Sequence, residues 1–371
     1  MAKHIVFLEQ YGSLGGGQQV LLELARAALA EGMTVSVLIP EGACADKLAA
    51  MGATVRHVPE IRLGNKKKSL FDLTRFLWSG LRIFLKQRDL LRKADLIYAN
   101  GNRLLPVAFF AETLLGKNAA FHIHLSHGPT EMRLFSWMLL LKRTKALIVP
   151  SPFIQRQLIA FTHRFDEPRL RLVENGLDDR FTGTSYTDRF TGCSLKHIGI
   201  VGRISPEKGQ DVLLPLAQEF PELTFHVLGD AAFSDNAYEH RLRASAPENI
   251  LFHGWVDDLP TKVDEIGLQV CLLPSRVPES ASLVSMQMAA LGCAVLVRRI
   301  GALEDMSKAL GLASFVSDED IAGCLRLLQE RSEEDMALQA REVYNNMAGR
   351  YGCDAFQQRL RTQLTALIKD R

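Results

Sequence analysis

Arg203 and Lys208 stand five residues apart in GIVGRISPEKGQDVLL, a polar loop between an apolar run and an amphipathic segment. Two cations in one loop can neutralise a diphosphate, Arg through a planar fork of N–H donors and Lys as a point charge; the plainer alternative is solvated surface charge. Downstream, SRVPESASLVSMQMAALGCAV (275–295) puts a single carboxylate, Glu279, in a Pro- and Ser-rich turn ahead of an apolar helical stretch, with Gln287 eight positions further on, two helical turns into it. That spacing can bring both side chains to one ligand; Glu279 can equally be an acid favoured by a helix N-terminus. Near the start of the chain, QYGSLGGGQQVLLELARAALAEG sets Gly15, Gly16 and Gly17 before a helix that the periodicity predicts over 18–31. Glycines admit a phosphate to the backbone and a helix N-terminus attracts its charge, although a flexible turn has the same composition. Finally, AAFHIHLSHG crowds His122, His124 and His127 around one strand end, and alternation puts the first two on one face. Three histidines raise the question of zinc, but no adjacent carboxylate is present to orient them.

The elements that must carry these residues follow from hydrophobic patterning. The apolar runs HIVFLE, TVSVLIP, DLIYAN, AAFHIHL and KALIVPS alternate with amphipathic segments, as expected of strand-helix-strand units around a parallel sheet buried on both faces. The stretch DDRFTGTSYTDRFTG (178–192) is polar and turn-rich and reads as a linker. A second series then begins: LKHIGIVGR, LTFHVLG, NILFHGW and LQVCLLPS. The expected fold is α/β, with two similar doubly wound domains in tandem, an N-terminal one over 1–180 and a C-terminal one over 193–350, followed by a helical segment over 351–371. Ligands of open parallel sheets bind outside the carboxyl ends of the strands, so the chemistry is expected in strand-following loops facing a cleft.

Size and charge bound the reading. A chain of 371 residues exceeds one ordinary core and suits two. With 44 Lys and Arg against 42 Asp and Glu, no whole-protein field favours nucleic acid, and none is expected as a partner. The six cysteines are scattered, without a C-x-x-C pair, which points to a reducing, cytoplasmic setting. The opening MAKHIVFLEQYGSLGGG enters an apolar strand at once and lacks the layout of a signal peptide.

Taken together, VGRISPEKGQDVLL, HVLGD, FHGWVDDL and LLPSRVPESASLVSMQMAALGCAVLVRRIGA closely resemble, in order and spacing, the C-terminal domain of retaining glycosyltransferases of the GT-B fold, family 4. GGGQQVLLELARAALAEGMTVSVL resembles the same family's glycine loop and second strand, so the likeness spans most of the chain. It implies two Rossmann-like domains facing across a cleft, acceptor side first and nucleotide-sugar side second, with the 351–371 segment crossing back as a helix to the first domain.

The resemblance also implies roles. Glu279 matches the first acid of a Glu-x7-Glu pattern, which contacts hydroxyls of the donor sugar. Gln287 departs from the second acid, which holds the nucleotide ribose. Ser282, Leu283 and Val284 match the helix start that meets the diphosphate, Ser282 standing where Gly is frequent. Gly15, Gly16 and Gly17 match the phosphate loop, Gly229 a glycine that makes room near the nucleotide, and Trp255 and Val256 the region lining the base. Arg203 and Lys208 match the cations on the leaving diphosphate, and His124, with His122 next, a histidine that contacts the donor sugar. No metal and no further cofactor is implied; the donor is expected to be a nucleotide-diphosphate sugar, a UDP-sugar foremost.

Between Arg62 and Lys93 the chain is dense in Lys and Arg, interleaved with Leu, Phe and Trp78, and only Asp72 and Asp89 oppose them. Such a segment can lie on an anionic membrane or pack as an ordinary amphipathic helix. MRLFSWMLLLKRTK, around Trp137, reads as buried. SDED (317–320) offers a D-x-D pattern but reads better as helix-capping and first-turn acids. The combined expectation is a glycosyltransferase acting on a hydroxyl acceptor, a glycolipid or a surface polysaccharide or lipopolysaccharide intermediate, at the inner face of a membrane. A nucleotide-sugar epimerase of the same architecture and a non-catalytic scaffold are the alternatives.

Overall fold

The computed structural model describes residues 2–61, 70–124, 144–162, 167–182, 186–231 and 236–369. His127 and most of the segment around Trp137 lie outside the described residues. The chain divides into two compact units, one formed by 1–175 together with 356–371 and the other by 176–355.

The first unit holds seven strands: β1 (His4–Glu9), β2 (Thr34–Ile39), β3 (Thr54–His57), β4 (Leu96–Asn100), β5 (Ala119–His122), β6 (Ala146–Val149) and β7 (Leu170–Leu172). Their spatial order is β3-β2-β1-β4-β5-β6-β7 and every pairing is parallel. The continuous apolar runs seen in the sequence follow from this, since both faces of the sheet are covered by core. Ile5, Phe7, Val35, Val37 and Tyr98 pack on one face with Leu21 and Leu24, whereas Val6, Leu8, Ile97 and Ala99 pack on the other with Phe84 and Val107. The helix Cys353–Lys369 inserts Phe356, Leu360, Leu364 and Leu367 into the first of these clusters, and Gln357 Nε2 donates to the Glu23 carbonyl.

The second unit holds six strands: β8 (His197–Val201), β9 (Thr224–Leu228), β10 (Ile250–Gly254), β11 (Val270–Leu273), β12 (Ala294–Arg298) and β13 (Ala313–Phe315), in the order β10-β9-β8-β11-β12-β13, again all parallel. In each unit the chain winds outward in one direction from its first strand and then restarts on the other side of it. The points of reversal therefore lie between β1 and β4 and between β8 and β11. At such a point two neighbouring loops diverge to opposite faces and leave a crevice at the strand ends. The residues singled out in the sequence follow these strands: Gly15–Gly17 after β1, Arg203 and Lys208 after β8, and Glu279 after β11.

Two local expectations need correction. The first helix spans Gly16–Ala30, so Gly16 and Gly17 form its first turn and only Gly15 precedes it, in an extended conformation. Periodicity missed this because glycine contributes no apolar side chain to mark a face. In SDED, Asp320 does accept from the Val316 and Ser317 backbone N–H groups at a helix start, but Asp318 pairs with Arg276 and Arg298 and ties two loops together.

Candidate active site

Parallel register aligns Glu9 with Asn100 and Asn100 with His122 at the carboxyl ends of β1, β4 and β5 in the first unit. Glu9 is fully buried and accepts four N–H donors: Gln10 N at 2.7 Å, Tyr11 N at 3.0 Å and Gln18 Nε2 at 2.8 Å on Oε1, and Asn100 Nδ2 at 2.6 Å on Oε2. Burial raises its carboxyl above the ordinary carboxylate value, and the four donors work against that shift. Asn100 Nδ2 also donates to the Gly17 carbonyl at 3.0 Å, and Asn100 Oδ1 lies 2.6 Å from His124 Nε2. A Cβ added at Gly17 would come within 3.5 Å of His124 Cγ, so the first helical turn rests directly on that ring. The glycine turn and His124 are therefore parts of one assembly.

His122 and His124 share a face, with ring centroids 4.1 Å apart. His122 is fully buried; its Nδ1 meets Tyr98 Oη at 3.0 Å, and its Nε2 has no partner among the described residues. Burial holds both rings neutral, His122 well below the ordinary histidine value and His124 at about 4.

In the second unit the loop after β8 is held from inside. Gln210, fully buried, accepts from Ser205 N at 3.2 Å and donates to the Arg203 carbonyl at 2.8 Å. Arg203 Nη2 reaches Glu207 at 2.9 Å, and Lys208 Nζ lies 2.7 Å from Glu279 Oε1. Ser275 Oγ donates to the same Glu279 oxygen, and Arg276 N donates to the Glu207 carbonyl at 2.7 Å, so the loops after β8 and β11 form one structure. Gly301 has φ +59, and a Cβ there would lie 2.9 Å from both backbone N and O of Glu279, which leaves glycine as the residue that lets the Glu279 turn close against β12's exit loop.

Ser282 caps the Leu283–Ala290 helix, its Oγ accepting from Ser285 N, and Leu283 and Val284 supply first-turn backbone N–H groups, which have no intrahelical acceptor. Gln287 lies in the second turn and is buried, among Met286, Met288 and Ala289, which face the unit's core.

Gly229 and Trp255 sit differently from the strand-end cluster. Gly229 has φ +142, and a Cβ on it would fall 2.1 Å from the Gly202 carbonyl oxygen, so the room this glycine makes is filled by the β8 exit loop. Trp255 is exposed with Nε1 donating to Asp257 at 2.9 Å, while Val256 packs against the core. Gly301, Asn100 and Glu9 escaped the sequence reading because each acts through a contact distant in the chain, and Gln210 because its bonds to Ser205 and Arg203 depend on how the loop turns back on itself. The only signal for Glu9 was an acid closing an otherwise apolar strand.

Chemically, the second unit offers two cations, a carboxylate and a helix N-terminus around one strand-end crevice, a set matched to a sugar diphosphate. Among the described residues no group of three or more His, Cys, Asp or Glu side chains is placed to hold a metal ion.

Two parallel, doubly wound units with polar loops at their switch points make this the GT-B architecture. Comparison with known proteins gives the family. Residues 14–181 match the model described as Glycosyltransferase Family 4 and residues 195–346 that described as Glycosyl transferases group 1. The chain belongs to glycosyltransferase family 4 and is a glycosyltransferase. Among curated proteins it is 34% identical over 115 residues to a glycogen synthase of Hydrogenovibrio crunogenus; the match covers 29% of this chain and only 22% of that protein. Among solved structures it is similar to HepE of Anabaena, solved with UDP and glucose, with a TM-score of 0.80, 21% identity, and 98% of this chain and 99% of the other covered. It is also similar to the apo form of the lipopolysaccharide outer core galactosyltransferase WaaB, with a TM-score of 0.67, 14% identity, and coverage of 98% and 99%.

Proposed function

We propose that the protein is a retaining transferase that moves a sugar from a UDP-sugar to a hydroxyl of a lipid-linked glycan, an intermediate of surface polysaccharide or lipopolysaccharide, at the cytoplasmic face of a membrane. The observation that carries the donor half is the joined loop pair of the second unit, in which Lys208, Ser275 and Glu279 meet beside Arg203 and the Ser282 helix cap. As the glycosidic bond to the diphosphate lengthens, positive charge grows on the sugar ring and negative charge on the departing phosphate oxygens. Lys208, Arg203 and the first-turn N–H groups of Leu283 and Val284 stabilise the latter, preorganised and without covalent participation. Glu279 accepts bonds from sugar hydroxyls once Lys208 turns to phosphate, Gln287 takes the ribose, and Trp255 and Val256 flank the base. In the first unit, the Gly15–Gly17 turn addresses the diphosphate and His124 a sugar hydroxyl. The acceptor oxygen forms the new bond on the face the leaving group vacates, and its proton passes to the departing phosphate. No metal is needed for this reading. The solved complex of HepE with UDP-glucose supports a UDP-sugar donor, and WaaB, a lipopolysaccharide galactosyltransferase, supports the acceptor class.

The membrane half rests on the helix Leu70–Lys93. Its Ile83, Phe84, Leu90 and Leu91 are buried in the first unit, whereas Trp78 and Leu85 are 59% and 57% exposed, in line along the outer face with Arg82, Arg92 and a single acid, Asp89, and flanked by Lys86, Arg88 and Lys93. Apolar side chains held outward among cations suit an anionic lipid surface. Among the described residues no helix is long and apolar enough to cross a membrane.

Titrating the purified protein with UDP, GDP and ADP and their sugars by thermal shift tests the donor assignment, since a ligand of the native state raises apparent stability. A shift with UDP and UDP-sugars alone is expected; a preference for another base overturns UDP.

A further inference from the structure

The strand-end cluster of the first unit fixes more than position. Asn100 Nδ2 faces two acceptors, Glu9 Oε2 at 2.6 Å and the Gly17 carbonyl at 3.0 Å, neither of which can donate, so the amide can be placed only with Oδ1 toward His124. A carbonyl oxygen 2.6 Å from His124 Nε2 requires a proton on that nitrogen. Glu9 holds this order in turn: Gln10 N, Tyr11 N and Gln18 Nε2 fix the carboxylate through Oε1, and Oε2 is presented as the acceptor for the Asn100 amide.

We propose that Glu9 and Asn100 are positioning residues that hold His124 as the neutral Nε2–H tautomer, in a fixed plane against Gly17, so that the ring meets the donor sugar as a hydrogen-bond partner for hydroxyls and never as a cation. The inference rests on the reading of His124 as a sugar contact. The titratable groups around the ring fit it: Glu9 from β1, Tyr98 from β4 and His122 from β5, the last buried and neutral at 4.1 Å, with Cys44 beyond Glu9, its thiol pushed up to about 12 by burial. A neutral sugar contact also leaves the charge on the diphosphate to the dedicated cations Arg203 and Lys208.

Nitrogen-15 spectroscopy of the imidazole rings in the full chain, with His124 assigned by loss of its signal in His124→Gln, tests the first half. The wild type should show a protonated Nε2 and an unprotonated Nδ1 from pH 8 to below 6. Asn100→Asp keeps an acceptor for His124 while placing a second carboxylate against Glu9; the ring should then take up its second proton at higher pH, and the transfer rate should gain an acidic limb absent in the wild type. Asn100→Ala should mix the tautomers and lower kcat by about 100-fold, the scale of a misplaced contact, with affinity for bare UDP within about two-fold. A wild-type His124 protonated at Nδ1, or unchanged ring signals and pH profiles in both Asn100 variants, overturns the proposal. Wild-type transfer by His124→Gln overturns its functional half through the sugar-contact reading, and the ring spectrum tells the two failures apart.

Discussion

Lys208 Nζ and Glu279 Oε1 lie 2.7 Å apart, a cation from the loop after β8 paired with an acid from the turn after β11. Both are only partly accessible, and Ser275 Oγ donates to the same oxygen of the acid. The two charges thus satisfy one another, and on the function proposed above a donor divides them, Lys208 to phosphate and Glu279 to sugar hydroxyls.

Removing the cations should therefore affect rate far more than folding. Lys208→Ala and Arg203→Ala are each expected to lower turnover by on the order of 100-fold, the usual cost of one transition-state charge donor. Ser275 still bonds Glu279 in the first variant, and in the second the lost ion pair is with exposed Glu207. Thermal midpoints should accordingly stay within about 2 °C, a shift that corresponds to less than ~2 kcal/mol in a chain of this size. Turnover at the wild-type level in both folded variants would remove these residues from the mechanism.

Glu279→Gln should separate sugar from nucleotide. The amide keeps one acceptor but loses charge, so bonds from sugar hydroxyls weaken while contacts to the nucleotide are untouched. We expect affinity for the UDP-sugar to fall by about ten-fold and that for bare UDP to change by less than about two-fold, by calorimetry. Equal losses for both ligands place Glu279 in a bracing role beneath Lys208.

The outer face of the Leu70–Lys93 helix makes a salt-sensitive prediction. Vesicles containing anionic lipid should retain the protein at low salt and release it near 1 M, where the screening length is about 3 Å. Trp78→Ser with Leu85→Ser should abolish retention without changing transfer to a soluble acceptor, since both side chains project away from the unit's core. Equal partitioning to neutral and anionic vesicles, or to neither, leaves this helix as a packed surface helix alone.

Buried histidines give stability a definite pH slope. His226 is held at about 4 by burial and by its neighbours His253 and His197, which hydrogen-bond to it at 2.9 Å and 3.1 Å; Lys262 lowers it further. His124 is also at about 4 and His122 lies lower. Between that value and the ordinary 6.5 the unfolded chain binds more protons than the folded one, so stability is full above pH 6.5 and falls as pH drops toward 4, by up to about 1.4 kcal/mol per pH unit for each ring. Glu9, raised by burial, acts in the opposite sense. Urea midpoints at pH 7.5 and 5.5 should differ accordingly, and His226→Asn should shrink the difference. A midpoint independent of pH would mean that these rings are not neutral in the folded protein.

How far all this was legible in the sequence depends on the range of the interactions involved. β1, β2 and β4 announced themselves because strands buried on both faces are continuous apolar runs, and the helix start at Ser282 was placed by family resemblance, its capping role appearing only in the structure. The start of the first helix was misplaced because Gly16 and Gly17 carry no side chain for periodicity to register. Asp318 was read as a local cap, but its partners are Arg276 and Arg298, tens of residues away. The same limit hid Glu9 and Asn100, whose meaning appears only when parallel register brings separate strand ends together. Gln287 could be read as a departure from a pattern, and its burial could not be read at all.

That burial sharpens what Gln287→Glu should do. A carboxylate accepts from two vicinal ribose hydroxyls at once, whereas the amide has one acceptor oxygen and must place its N–H groups elsewhere. If the side chain faces the ribose, the charged variant tightens UDP by up to about 1 to 2 kcal/mol, the difference between neutral and charged hydrogen bonds. The unliganded variant then carries an ionised group at a site only 7% exposed, on a helix packed among Met286, Met288 and Met347, so its thermal midpoint should fall without UDP and recover with it. Proximity to the diphosphate acts the other way, since two negative charges repel. Calorimetry with UDP and its 2′-deoxyribose analogue decides between these terms. Tighter binding of UDP but not of the analogue assigns the ribose to Gln287; unchanged affinity for both, with the same loss of thermal midpoint, makes Gln287 a residue of the core.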